Sequence, residues 1–245
     1  MSDWTSWLPA SWLGQNGLGP SVQVMLAISI IGLVPSIFLL STCWIRFVVV
    51  LGLLRQAIGG AQILPNQVIT GLSLMLTIAV MAPVWEAAYR EGIEPYKNAK
   101  FETEADQRLA LSEAATRTLA PLRRFMVSQI QAAGNENTVS LFLRARERSD
   151  RSTTAHSPRY YEDLPLSVLL PAFVLSELKV AFLIGLQVIL PFLVIDLVTS
   201  SLLTGLGLSS LPPLWVSLPL KLLVFVSIDG WFLTVEMLLQ SVSTV

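Results

Sequence analysis

Uncharged stretches set the terms for this chain. Residues 164–176, 180–195 and 197–220 carry no charge, and an earlier block, 22–85, is interrupted only by Arg46 and Arg55. Apolar runs of this length suit a bilayer or a wholly buried helical interface, because every backbone polar group must then be satisfied within the segment or by packed neighbours. An ionisable side chain in such a run is costly unless it is paired or reaches water. Glu177, Lys179, Asp196, Lys221, Asp229 and Glu236 are therefore the informative residues of the last third.

Charge is concentrated elsewhere. Of the 33 charged residues, 23 lie between Arg90 and Asp163. The chain thus reads as an all-α, membrane-associated protein. A segment, 1–20, is expected to lie at the membrane interface, with Trp4, Trp7, Leu8 and Trp12 near helical spacing. A first apolar helical hairpin follows over 21–89, then a polar, mainly helical insert over 90–163, then a second apolar hairpin over 164–245.

Within the first hairpin, the run 22–45 contains Pro35, so a kink is expected. Gly59, Gly60 and Pro65 mark a connector. The run 68–84 is expected to close at Pro83 and Trp85. In the insert, Leu111, Ala115 and Leu119 share a helical spacing. Leu122, Met126 and Ile130 continue on one face after Pro121, which suits the first turn of a new helix. Asn137 could cap a short helix over 139–148, and 149–160 reads as a loop. The uncharged 204–217 stretch reads as a hairpin turn, followed by a run over 218–239. On one continuous helix Lys221, Asp229 and Glu236 would fall within about an 80° arc, marking one face. Arg46 and Arg55 near the first connector favour a cytoplasmic side for it, which would put the insert on the other side.

Several classes are disfavoured. The net charge of −1 offers no basic footprint for nucleic acid. The single cysteine, Cys43, reads as a small packed hydrophobe, and His156 as a solvated loop residue. No catalytic residue, metal site or cofactor is expected, since no HExxH, GxSxG, CxxC or P-loop pattern is present. A small-molecule or ion transporter using Asp196 and Asp229 would predict internal repeat symmetry, and the two apolar blocks differ in length and charge placement.

Four long blocks, in order, carry a resemblance. They are STCWIRFVVVLGLLRQAIGGAQILPNQVITGLSLMLTIAVMAPV (41–84), LPLSVLLPAFVLSELKVAFLIG (164–185), PFLVIDLV (191–198) and LPLKLLVFVSIDGW (218–231). PLRRFM (121–126) and LFLRAR (141–146) agree as well. Together they resemble the FliP/SctR family of type III export apparatus proteins.

The resemblance implies several copies assembling with small FliQ- and FliR-like (SctS/SctT-like) membrane proteins into a helical gate. Unfolded secreted proteins would pass through it, with FlhA/FlhB-like export components nearby, at a flagellar basal body or an injectisome base in the bacterial inner membrane. The RQAIGG…PNQ text around Arg46, Arg55, Pro65 and Asn66 leans flagellar. The resemblance also implies that the assembled gate is raised out of the bilayer plane.

In that setting Glu177–Lys179 and Lys221–Asp229, with Asp196, are expected to form intersubunit polar networks. Such pairs fix register and partner choice. For Glu177 and Lys179, snorkelling from helix ends is an equal alternative. Many relatives carry methionines before the paired prolines of the second hairpin turn, and here the text is Gly207-Leu208-Ser209-Ser210-Leu211-Pro212-Pro213. Leu206, Leu208 and Leu211 are expected to take over the seal at a constriction that Ser209 and Ser210 make wetter. The 1–20 segment lacks a basic n-region, so either insertion uses the first apolar run or the natural start lies elsewhere.

Overall fold

The structure, a computed structural model, describes residues 35–59, 64–99, 103–149, 164–208 and 210–242, with Met25, Ile28, Ser29 and Gly32. The tryptophan-bearing 1–20 segment, nine residues of the 22–45 run, Gly60, His156 and Ser209 lie outside these. The chain divides into two units, Met1–Leu39 and Leu40–Val245. The described positions of the first are helical.

The second unit is built from helices, with no strand among the described residues. They are α1 (Trp44–Ile58), α2 (Asn66–Ala88), α3 (Glu94–Asn98), α4 (Glu104–Ala132), α5 (Glu136–Ser149), α6 (Leu166–Gly205), α7 (Pro213–Ser227) and α8 (Gly230–Gln240). A π-helical turn, Tyr89–Ile93, joins α2 to α3.

The core lies where α1 meets the first half of α6. Phe47, Val50, Leu51 and Leu54 of α1 are fully buried, as are Leu169, Ala172, Phe173 and Ala181 of α6. Gly185 lets the two helices approach, because a Cβ there would sit 2.3 Å from Leu53 Cδ1. The charged insert shares this core through α4, whose Phe125, Met126, Val127 and Ile130 are buried. Phe125 meets Phe173 edge-on, with ring centroids 6.1 Å apart. The 122/126/130 face is thus a core face, whereas Ala115 and Leu119 are exposed and Leu111 is half-buried.

Prolines break less than the sequence implies. Pro121 lies inside the continuous 29-residue α4 and does not begin a helix. Pro83 lies inside α2, which runs past Trp85 to Ala88. Each proline removes one ladder bond, but packed residues, Met81 and Val84 flanking Pro83 in α2 and Phe125 and Met126 following Pro121 in α4, hold the helix together. Asn137 is not a cap either, since α5 starts at Glu136. At Asn135, the residue before it, the side chain is directed to α6.

Asn66–Asn98 and Leu166–Gly205 are long and apolar enough to cross a membrane. At 40 residues α6 is about 60 Å long. The 218–239 run is not one helix. It breaks at Ile228–Asp229, with α7 and α8 bent by 64°. Asp229 is left-handed at φ 52, ψ 53, and a Cβ on Gly230 would sit 2.2 Å from the Phe225 ring. Lys221, Asp229 and Glu236 therefore share no continuous helical face.

Candidate functional site

Arg46 occupies the first turn of α1, not the connector, and is 1% exposed. An interior guanidinium needs several acceptors at once, because each N–H left bare costs desolvation energy. Its Nε donates to Glu177 Oε2 at 2.9 Å and its Nη2 to Glu177 Oε1 at 2.5 Å. Nη2 also faces Gln129 Oε1 at 3.3 Å. Nη1 donates to the Ser241 carbonyl and, at 3.1 Å, to Ser241 Oγ. One side chain thus ties α1, α4, α6 and the turn after α8.

Glu177 takes this partner and not Lys179. Residues two apart on a helix point to different sides. Lys179 Nζ donates instead to Asn135 Oδ1 at 2.6 Å, and Asn135 Nδ2 donates to Ser176 Oγ at 2.9 Å. Asn135 is placed for this by the end of α4. Gly134 is left-handed (φ 62), and the Asn135 and Gly134 amides donate back to the carbonyls of Ile130 and Gln131.

A second tie lies further along α6. Lys221, in α7, donates to Asp196 Oδ2 at 2.6 Å and to the Ala57 carbonyl at 2.9 Å. Ala57 is in the last turn of α1, where a cation favours the helix dipole. Within the chain Lys221 therefore meets Asp196, not Asp229, which is exposed. The first connector is pinned by Arg55, whose Nε donates to Leu64 O at 2.5 Å and whose Nη1 donates to Asn66 Oδ1. Pro65 stands just before α2, in extended conformation.

The second hairpin tip presents apolar side chains outward. Leu206, Leu208 and Leu211 are 72%, 42% and 48% exposed, and Ser210 is exposed. The turn is shaped by Gly207 at φ 72, with the Leu208 amide donating to Leu203 O and the Gly207 amide to Thr204 O. Leucines continue outward along the second half of α6, including Leu190, Leu193, Leu197 and Leu202. Among the described residues no three His, Cys, Asp or Glu side chains converge as metal ligands would.

Sequence reasoning grouped Arg46 with the connector and so missed the acid–base centre. Gln129 and Ser241 were missed too. Their signal was the requirement that a charge in an apolar run find acceptors.

A body locked by the buried Arg46–Glu177 pair and the Lys221–Asp196 tie, bearing a long apolar hairpin with an exposed uncharged tip, defines a membrane-associated helical-hairpin protein. The sequence profile of the FliP family matches residues 27–238. The chain belongs to the FliP family. It is 42% identical over 220 residues, 90% of this chain and 76% of the relative, to "Flagellar biosynthetic protein FliP" of Caulobacter vibrioides. It is 36% identical over 226 residues to the Bacillus subtilis protein of that name, covering 92% of this chain and 94% of the relative. With the Pectobacterium carotovorum protein of that name the identity is 40% over 221 residues, 90% of this chain and 78% of the relative.

Proposed function

We propose that this chain is a core subunit of the flagellar type III protein export gate. Several copies, with FliQ- and FliR-like membrane proteins, form the channel through which unfolded substrates leave, in the inner membrane at the flagellar basal body. FlhA/FlhB-like export components feed it. The role is one of channel construction, with no bond made or broken by the chain.

The observation that carries this reading is the uncovered apolar surface of α6, α7 and the tip on a body whose interior charges are already paired. Such a surface needs lipid or partner subunits to cover it. The names of the relatives support the flagellar form over the injectisome one. In the assembled wall the tip leucines converge on the path of the substrate and close it by excluding water. Lys179, Asp196 and Asp229, each with some exposure, are the charges available for intersubunit contacts; Glu177 and Lys221 set the internal register.

The test is a pull-down of the tagged chain in native detergent from its own cells. The reading expects a large particle containing small helical-hairpin partners and rod or hook proteins. A monomer or dimer without such partners would sink it.

A further inference from the structure

The second hairpin is tied at one rung and beyond it carries no polar tie between its arms among the described residues, although Thr199 and Leu203 of α6 and Ser217 of α7 are buried there. Asp196 lies ten residues before Leu206 and Lys221 ten residues after Leu211. The Lys221–Asp196 pair is therefore at matching height on both arms, about 15 Å from the tip at the helical rise. At and below this rung the arms are fixed. Lys221 bridges Asp196 and Ala57 O, Phe192 and Phe225 lie 6.1 Å apart, and Phe225 packs edge-on to Trp231 at 5.4 Å.

Beyond the rung the picture changes. Among residues 213–218 of α7 only Ser217 is buried, and its hydroxyl has no hydrogen-bond partner. Leu214, Trp215 and Val216 are exposed. Among the described residues no hydrogen bond or ion pair joins α7 to α6 there. Thr199 and Thr204 of α6 donate to their own helix. Pro219, two residues before Lys221, lies inside α7. It has no N–H for the Trp215 carbonyl, so the ladder is interrupted next to the rung. Burying the Ser217 hydroxyl unpaired disfavours the packed position.

We propose that the outer arm of α7, residues 213–218, is a hinged strut that pivots at Pro219 against α6, with the Lys221–Asp196–Ala57 tie as its fulcrum. A swing carries Leu211 away from Leu206 without disturbing the body, and returns Ser217 to water. Lys221 is then a positioning residue for the tip. The purpose assigned to this motion rests on the export-gate reading; the hinge itself rests on the chain's own geometry.

The test uses the full-length protein in detergent, spin-labelled through cysteines and diluted with unlabelled chain. Native Cys43 is buried and stays unlabelled. An outer pair, Leu202→Cys with Leu214→Cys, is compared with an inner pair, Leu190→Cys with Val226→Cys, by dipolar electron spectroscopy. The expected result is a distance distribution at least twice as broad for the outer pair, narrowed to the inner width by Pro219→Ala. Lys221→Met broadens the inner pair as well, and Lys221→Arg restores it. An outer pair as narrow as the inner one, or one that Pro219→Ala leaves broad, overturns the hinge. Absence of partner subunits in the pull-down removes the gate reading and leaves these distances untouched.

Discussion

Arg46 and Glu177 stand 131 residues apart and meet as a two-pronged pair, Nε to Oε2 at 2.9 Å and Nη2 to Oε1 at 2.5 Å, both side chains out of solvent. Breaking such a pair from one side leaves the other charge buried alone, which costs about 3–5 kcal/mol, whereas replacing both partners by apolar groups is often neutral. Arg46→Met and Glu177→Met are each expected to lower the unfolding midpoint sharply in detergent, followed by circular dichroism. The double variant should recover most of the loss. Single variants that melt with the wild type, or a double that sums the two losses, would show that the pair does not organise the core.

The α7–α8 corner should be selective in opposite senses at neighbouring positions. Asp229 is left-handed, which costs a residue with Cβ about 1–2 kcal/mol and glycine little. Asp229→Gly is thus expected to keep or slightly raise stability. Gly230→Ala forces a methyl into the Phe225 ring and should lower it. Equal effects at both positions in a thermal melt would contradict the corner geometry. Asp229→Asn separates structure from assembly: on the intersubunit reading it leaves the melt unchanged and weakens recovery of the large particle, and intact assembly and export would end that role.

Gly92 of the π turn faces α4 at backbone range, so that a Cβ would lie 2.6 Å from Thr118 N. Gly71, in α2, faces open space. Gly92→Ala should destabilise by more than a typical point substitution, about 1 kcal/mol. Gly71→Ala should be neutral or mildly stabilising, since alanine is the better helix former by about 1 kcal/mol. The check is hydrogen exchange across residues 103–132, which should quicken only in the Gly92 variant.

At the tip, Leu208→Gly removes one of the three exposed leucines. In the assembled complex reconstituted into liposomes it is expected to raise ion leak. Unchanged conductance would mean that the seal lies in other residues or in other subunits.

The helical character, the apolar hairpins and the charged insert were legible because they rest on periodicity and composition, which are local. The pairings were not. Arg46 reads as a connector residue when only its neighbours are considered, and nothing local distinguishes Glu177 as its partner 131 residues on. Lys221, Asp229 and Glu236 were placed on one face by helical arithmetic, and that arithmetic fails because the helix stops at an Asp-Gly dipeptide, itself a turn signal. Pro121 and Pro83 misled in the opposite direction, since tertiary packing outweighs one missing ladder bond. The Asn135 tie was hidden because an asparagine before a helix ordinarily caps it, while here its side chain reaches Ser176 and Lys179.

The buried centre also has a chronology. Arg46 is synthesised 131 residues before Glu177 and 195 before Ser241. At translation rates of about 5–20 residues per second, the carboxylate follows about 7–26 seconds later. Over that interval the guanidinium has no native counter-charge, since Gln129, made 83 residues after Arg46, is neutral and Glu177 and Ser241 come later still. The first hairpin cannot settle into its final packing while that charge is bare. It must hold Arg46 near water or a lipid headgroup until the second hairpin arrives, so the body closes late and around a residue made early.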